Sequence, residues 1–371
     1  MSASSHSAAR RAVLGALALA PLAAAPPPAT AQATIDGCPI LPASNIWNVP
    51  VASLPVHPSS AAWIATIGSA TGLHADFGSG TWEGGKIGIP FDSVPAAQPL
   101  VVVDFATLGW DGESDPGPYP IPADPQIEGE PGNATGDRHV LILEQGDCVL
   151  YEAYYTYPDG AFADSQSDDS DLDVECQAGT GGWCAASGAV YDLASNALRP
   201  DGWTSADAAG LPILPGLARW EEVAGGEIRH ALRFTTQPTQ SAYVWPARHE
   251  ASSNGDPDLP PMGIRVRMRA GVDLSGLSEP ARVIAVALKR YGMILADNGS
   301  DWYISGAPHE SWDNDVLHEL DVFTGADFEV VDVAALALDP DSGATPHLFS
   351  DGFERGAAAF ALWSASEAGA P

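Results

Sequence analysis

The stretch HVLILEQGDCVLYEAYY, residues 139–155, decides the fold class. Two runs rich in Val, Leu, Ile and Tyr flank Gln145-Gly146-Asp147, a turn-forming triplet, so the spacing predicts an antiparallel hairpin of 139–144 with 148–155. Successive side chains on a strand point to opposite faces. His139 therefore shares a face with Leu141 and Leu143, and Glu152 shares one with Leu150 and Tyr154.

Working outward, the same pattern predicts strands over 189–193, 227–235, 241–246, 263–269, 293–297, 302–305 and 328–333. Residues 227–246 read as one hairpin around TQPTQ, and 293–305 as another around NGS. Helices are fewer. EPARVIAVALKRY, 279–291, has Ser278 as N-cap, Pro280 in the first turn and Lys289 and Arg290 at its end. Its buried face is expected to hold Val283, Ile284, Val286, Ala287 and Leu288. Shorter helices are expected near 218–223 and 313–320. SDPGPYPIPADP, 114–125, is too rich in proline for either element. Many short strands without alternating β and α units imply a mainly β, sandwich-like or related layered single domain with a few peripheral helices.

The organisation expected along the chain is a signal peptide over 1–33, a β-rich domain over 34–336, a linker over 337–350 and a short tail over 351–371. Arg10 and Arg11, the apolar run 12–25 and the small residues of Ala31-Gln32-Ala33 carry the signal-peptide reading. The run is short for a membrane span. A net charge of −32, with 48 acidic against 16 basic residues, opposes binding to nucleic acid or an anionic membrane. Secretion, extracellular or periplasmic, is the expectation. The 4 cysteines, an even number behind a signal peptide, then favour disulfides. Cys176 with Cys184 closes a short loop, and Cys38 with Cys148 ties the N-terminal segment to the hairpin.

Several blocks, among them GDRHVLILE, SNALRPDGWTSADAAGLPILPGL, EIRHALRFT and RYGMILADNGSDW, resemble a family of secreted bacterial proteins of uncharacterised function. The resemblance spans about 115–306 and implies a family label with no activity attached. The tail FSDGFERG, with Trp363 behind it, resembles a short C-terminal motif of exported bacterial proteins, and Arg355 departs from the Ser frequent there.

Candidate chemistry begins with histidines on apolar faces. His139, beside Asp137, has the makings of a base oriented by a carboxylate. His230 lies on the apolar side of EIRHALRFTT, 227–236, and the hairpin through TQPTQ would set it near His249 as a metal-binding or proton-transfer pair. Glu152, on a strand face with Leu150, is a candidate acid. The bland alternatives are core histidines bonded to carbonyl or carboxylate oxygen, and a Glu paired with an arginine. Arg265 and Arg267 share one strand face with Arg269, and Arg229 shares one with Arg233. They could line a groove for anions or pair with the protein's own acids. Tyr154 and Trp245 are candidate sugar platforms. Asp169, Asp171 and Asp173 alternate as in calcium loops, but Val174 and Thr180 stand where such a loop needs Gly and Glu. That excludes an EF-hand and leaves an irregular calcium site. No other cofactor is called for. The function expected is a secreted carbohydrate-active protein acting on a polysaccharide, as hydrolase or lyase, with a non-catalytic glycan-binding or envelope protein as the alternative.

Overall fold

The computed structural model describes residues 32–105, 110–132, 136–158 and 182–346, all within one compact unit, Gln32–Pro371. The protein is mainly β, with 25% strand against 17% helix, so strands set the layers and helices cover them. Two sheets carry the architecture. Their strands in chain order are β1 (His74–Asp76), β2 (Asp92–Val94), β3 (Val140–Glu144), β4 (Val149–Tyr154) and β5 (Ser187–Asp192). They continue as β6 (Leu232–Thr235), β7 (Arg265–Met268), β8 (Met293–Asp297), β9 (Tyr303–Ser305) and β10 (Phe328–Val331). Two helices matter for packing, α1 (Ser60–Ile67) and α2 (Glu279–Arg290).

The smaller sheet has the order β5-β4-β3-β2. Its centre is the expected hairpin, with Leu141 opposite Glu152 and Leu143 opposite Leu150. Leu141, Leu143 and Leu150 face the main core, while Val140, Ile142 and Ala153 pack on Val103, Phe105, Tyr119 and Ile121. Both faces are buried, which is why this hairpin reads as nearly continuous apolar sequence.

The larger sheet has the order β10-β7-β8-β6-β9-β1. The sequence predicted β8 and β9 as a hairpin, but β6 lies between them, parallel to β8 and antiparallel to β9. The expected pairing of 227–235 with 241–246 is likewise replaced. The strand begins only at Leu232, and Tyr243 instead bridges to Met262. Four consecutive buried residues, Leu232 to Thr235, show the physical reason: β6 is a central strand, and its two edges are taken by β8 and β9.

Helix α2 packs on β7 and buries Ala281, Ile284, Ala285 and Leu288, the spacing of one helical face. Val286 points outward at 44% exposure, a correction to the expected face. Residues 337–346, expected as linker, are packed down: Ala344 bridges Asn45, and Thr345 donates through N–H and Oγ1 to Ser44 O. Cys38 and Cys148 are joined, tying the N-terminal segment to the hairpin turn. Cys184 is also disulfide-bonded, and its expected partner Cys176 lies outside the described residues. So do the acidic run 164–175, residues 1–31 of the expected signal peptide, and the tail. No helix among the described residues is long and apolar enough to cross a membrane.

Candidate active site

Beside the apolar core that the two sheets share, a polar layer gathers around the loop 205–214. Its turn is fixed locally: Ser205 Oγ accepts from Asp207 N–H (2.9 Å) and itself donates to carbonyl oxygen of Asp207 (2.7 Å) or Leu211 (2.8 Å). Side chains from both sheets then bond the loop. From β4, the Glu152 carboxylate accepts the N–H groups of Ile213 (2.9 Å) and Leu214 (2.9 Å). From β6, Arg233 grips Asp207 with two parallel hydrogen bonds of 2.8 Å each. Before β3, the His139 ring donates from Nε2 to Ala206 O at 3.1 Å. His249 reaches Ala208 O at 3.1 Å.

Arg233 is the hub because of register. Phe234 pairs with Ile304, so Arg233 lies beside Ser305, and Ser305 pairs with Asp76. Asp76, Ser305 and Arg233 thus form a row across one face of the larger sheet. The guanidinium donates to Ser305 Oγ (2.7 Å) and Asp297 Oδ2 (3.2 Å) as well as to Asp207. On the opposite side stand Glu128, Asp137 and His139, whose ligand-type atoms all lie within 4.8 Å of one another.

The electrostatics follow from crowding five carboxyl groups around Arg233 and His139. Glu128 Oε2 is 2.5 Å from His139 Nδ1. Burial alone would raise Glu128, but the charge and hydrogen bonds of His139 together with the Arg233 charge outweigh it and hold the carboxyl below its ordinary value. Burial opposes the charge on His139 too, yet Glu128 pushes the ring up to about 9. The ring is therefore a cation at neutral pH, with both nitrogens donating. Asp137 and Asp76 are raised, first by burial and next by the charge of Glu128. Asp297 is raised well above the ordinary range by burial and by Asp207. Asp76 and Asp137 reach solvent although protein closely surrounds them. Glu152 is sealed and pushed up to about 7 by burial, against the lowering effect of its two N–H donors.

A groove adjoins this cluster. Pro90, Phe91, Gln126, Trp220, Glu221, Ala307, Pro308 and His309 line a cavity of about 180 Å³. Trp220 stacks on His309, centroids 6.0 Å apart, and meets Trp312 edge-on at 5.1 Å. Gln126 is two residues from Glu128, and Ala307 two from Ser305. Two residues of extended chain span at most ~7 Å, so two separate segments lead from groove to cluster.

The sequence-expected residues divide. His139, Asp137 and Tyr154 meet, the Tyr154 ring lying 5.4 Å from the His139 ring. Glu128, not Asp137, takes the ring hydrogen bond. Glu152 meets backbone N–H groups, where an arginine was the alternative. His230 is buried elsewhere, its Nδ1 2.7 Å from Ala231 O and its Nε2 3.1 Å from Glu222, which also pairs with Arg219. It forms no pair with His249, because the hairpin that would join them is absent. Arg265 donates to the carbonyls of Tyr291, Ile46 and Val49, and burial lowers it to about 9. Arg267 bonds Glu329, Val51 O and Leu54 O. These arginines fasten the N-terminal segment to β7. Arg229 pairs with Glu227. Trp245 donates to Ser342 O, on the segment that packs beside Asn45.

Asp76, Glu128, Asp207, Asp297 and Trp220 were not singled out in the sequence. Asp207 offered a signal, since it sits in a Ser-x-Asp turn within the quoted block SNALRPDGWTSADAAGLPILPGL. Compared with known proteins, the chain matches no family model, no curated protein and no solved structure.

Proposed function

We propose that this protein is a secreted carbohydrate-active enzyme, a glycoside hydrolase that cleaves a neutral polysaccharide at the acidic cleft. One observation carries the reading. Asp137, a solvent-reached carboxyl raised towards its neutral form, lies within 4.8 Å of Glu128, a carboxyl that His139 keeps ionised. Glycosidic bonds are broken by such a pair, one member giving a proton to the leaving oxygen and the other acting on the anomeric carbon. Asp137 is the acid and Glu128 the nucleophile. Carboxyl groups set this close together suit the retaining class, in which they stand ~5–5.5 Å apart, better than the inverting class at ~6.5–9.5 Å. Arg233 and the His139 cation keep the surrounding negative charge tolerable, and the Trp220 groove offers an aromatic face for a sugar ring.

The acidic cleft argues against a lyase. Such an enzyme acts on uronates, and five carboxyl groups facing two cations would repel an anionic chain. Incubation with a panel of neutral polysaccharides should release reducing ends, the first product retaining its anomeric configuration by NMR. Asp137→Asn should lower the rate by roughly 100-fold or more with an unchanged melting curve. Trp220-dependent retention on a glycan column without any product would support a binding protein. Neither product nor retention with any glycan ends the proposal.

A further inference from the structure

A second group of chemically competent side chains lies at the free edge of the larger sheet. We propose that His74, His318 and Asp321 form a binding site for one divalent transition-metal ion, with Zn2+ the best fit.

Three different pieces of local structure bring these residues together. His318–Val322 is a 3-10 helix. With three residues per turn, positions i and i+3 eclipse, so His318 and Asp321 stand one above the other. His74 opens β1, the edge strand. The backbone locks strand to helix: Leu73 N–H donates to Phe323 O at 2.8 Å, and Gly72 bridges Thr324. His74 is held from its other side as well, its ring lying 4.3 Å from that of Tyr303, its register partner on β9.

The Asp321 carboxylate lies between the two imidazoles. Oδ2 is 3.0 Å from His318 Nδ1, and Oδ1 is 3.9 Å from His74 Nδ1. One candidate ligand atom from each residue falls within a 4.8 Å span. Ligands of a tetrahedral zinc, bound at about 2.0–2.2 Å, stand about 3.4 Å from one another, so the cluster closes on an ion through side-chain rotation alone. Two imidazoles with one carboxylate favour zinc, cobalt or nickel over calcium or magnesium, which take oxygen ligands. Three protein ligands leave a coordination position open, and all three residues reach solvent. The Glu128, Asp137 and His139 group is a poorer candidate, because both ring nitrogens of His139 already bond Glu128 and Ala206.

His74 and Asp76 lie two residues apart on one strand face, so the ion would sit beside the acidic cleft. The site does not depend on the hydrolase reading, and its test reads metal directly. Tag-free protein is freed of metal by chelation and titrated calorimetrically with zinc chloride, with calcium chloride as control. Cobalt substitution is followed by its visible ligand-field spectrum. One zinc per chain is expected, with little calcium binding, and a cobalt spectrum of tetrahedral type. His318→Ala and Asp321→Asn, both at exposed positions, should weaken zinc binding roughly 100-fold, and Asp137→Asn should leave it unchanged. Absence of zinc binding near neutral pH overturns the site. So does zinc binding that survives both His318→Ala and Asp321→Asn, or that is lost with Asp137→Asn.

Discussion

Arg233→Ala removes the cation at the centre of the polar layer. Arg233 is buried, and its four side-chain hydrogen bonds run to Asp207, Asp297 and Ser305. Asp207 is itself sealed from water, so truncation leaves a buried carboxylate without its bidentate partner. Breaking a buried pair in this way costs about 3–5 kcal/mol, and shortening the side chain opens a cavity as well. That loss corresponds to a melting-temperature drop of roughly 5–8 °C for a domain of this size. The loss should depend on pH. In the wild type Arg233 lowers the Asp297 carboxyl, against burial and Asp207, which raise it. Without the guanidinium, Asp297 moves further above its unfolded value. A group raised in this way favours folding at low pH and loses that contribution as pH rises through its folded value. The deficit of the variant should therefore be smaller at pH 5 than at pH 8. Urea unfolding of both proteins at the two pH values measures it. A deficit under about 1 kcal/mol, or one equal at both pH values, would refute the view that Arg233 compensates buried charge.

His139 gives a profile of the same sign in the wild type. Its folded value of about 9 lies above the ordinary 6.5, so its contribution is complete below about pH 6.5 and disappears as pH rises through 9. The loss is on the order of 3 kcal/mol, and a urea midpoint that falls between pH 7 and 9.5 in wild type but stays flat in His139→Gln would show it. Cys38→Ser with Cys148→Ser opens a link across 110 residues, which should cost roughly 4–5 kcal/mol in urea unfolding while far-ultraviolet circular dichroism stays native. The hydrolase rate should fall as pH rises past the raised value of Asp137, since the acid must carry its proton. In Asp137→Asn any residual rate should lack that limb.

Local pattern made part of the fold legible. The period of two and the QGD turn specified the β3–β4 hairpin, and Ser278, Pro280, Lys289 and Arg290 marked α2 at both ends. Strand order was not legible, because β6 inserts between two strands that are neighbours in sequence. Nothing in residues 293–305 records that a segment some sixty residues earlier will occupy the gap. Loop acids were hidden for a related reason. Glu128 lies in a loop without periodic signal, Asp297 shows only as the end of a strand, and their role appears only when β1, β6, β8 and β9 converge.

The charged residues on apolar strand faces fall into two different physical situations. Arg265 and His230 are buried among groups that satisfy them completely as structure: carbonyl oxygens for the one, a carbonyl and Glu222 for the other. Arg233 and His139 are also satisfied, but their partners include carboxylates that stand in a crowd, two of which, Asp297 and Glu128, reach water. In the first case the polar residue lowers the cost of burying backbone, and replacing the ensemble with apolar groups would leave no chemistry behind. In the second, the cations permit more negative charge to collect in one place than an apolar wall could tolerate. The unequal acidities of Glu128 and Asp137 arise from that collection. The histidine on the strand is thus a positioning residue for the acids around it, and the reacting groups are the ones the loops deliver.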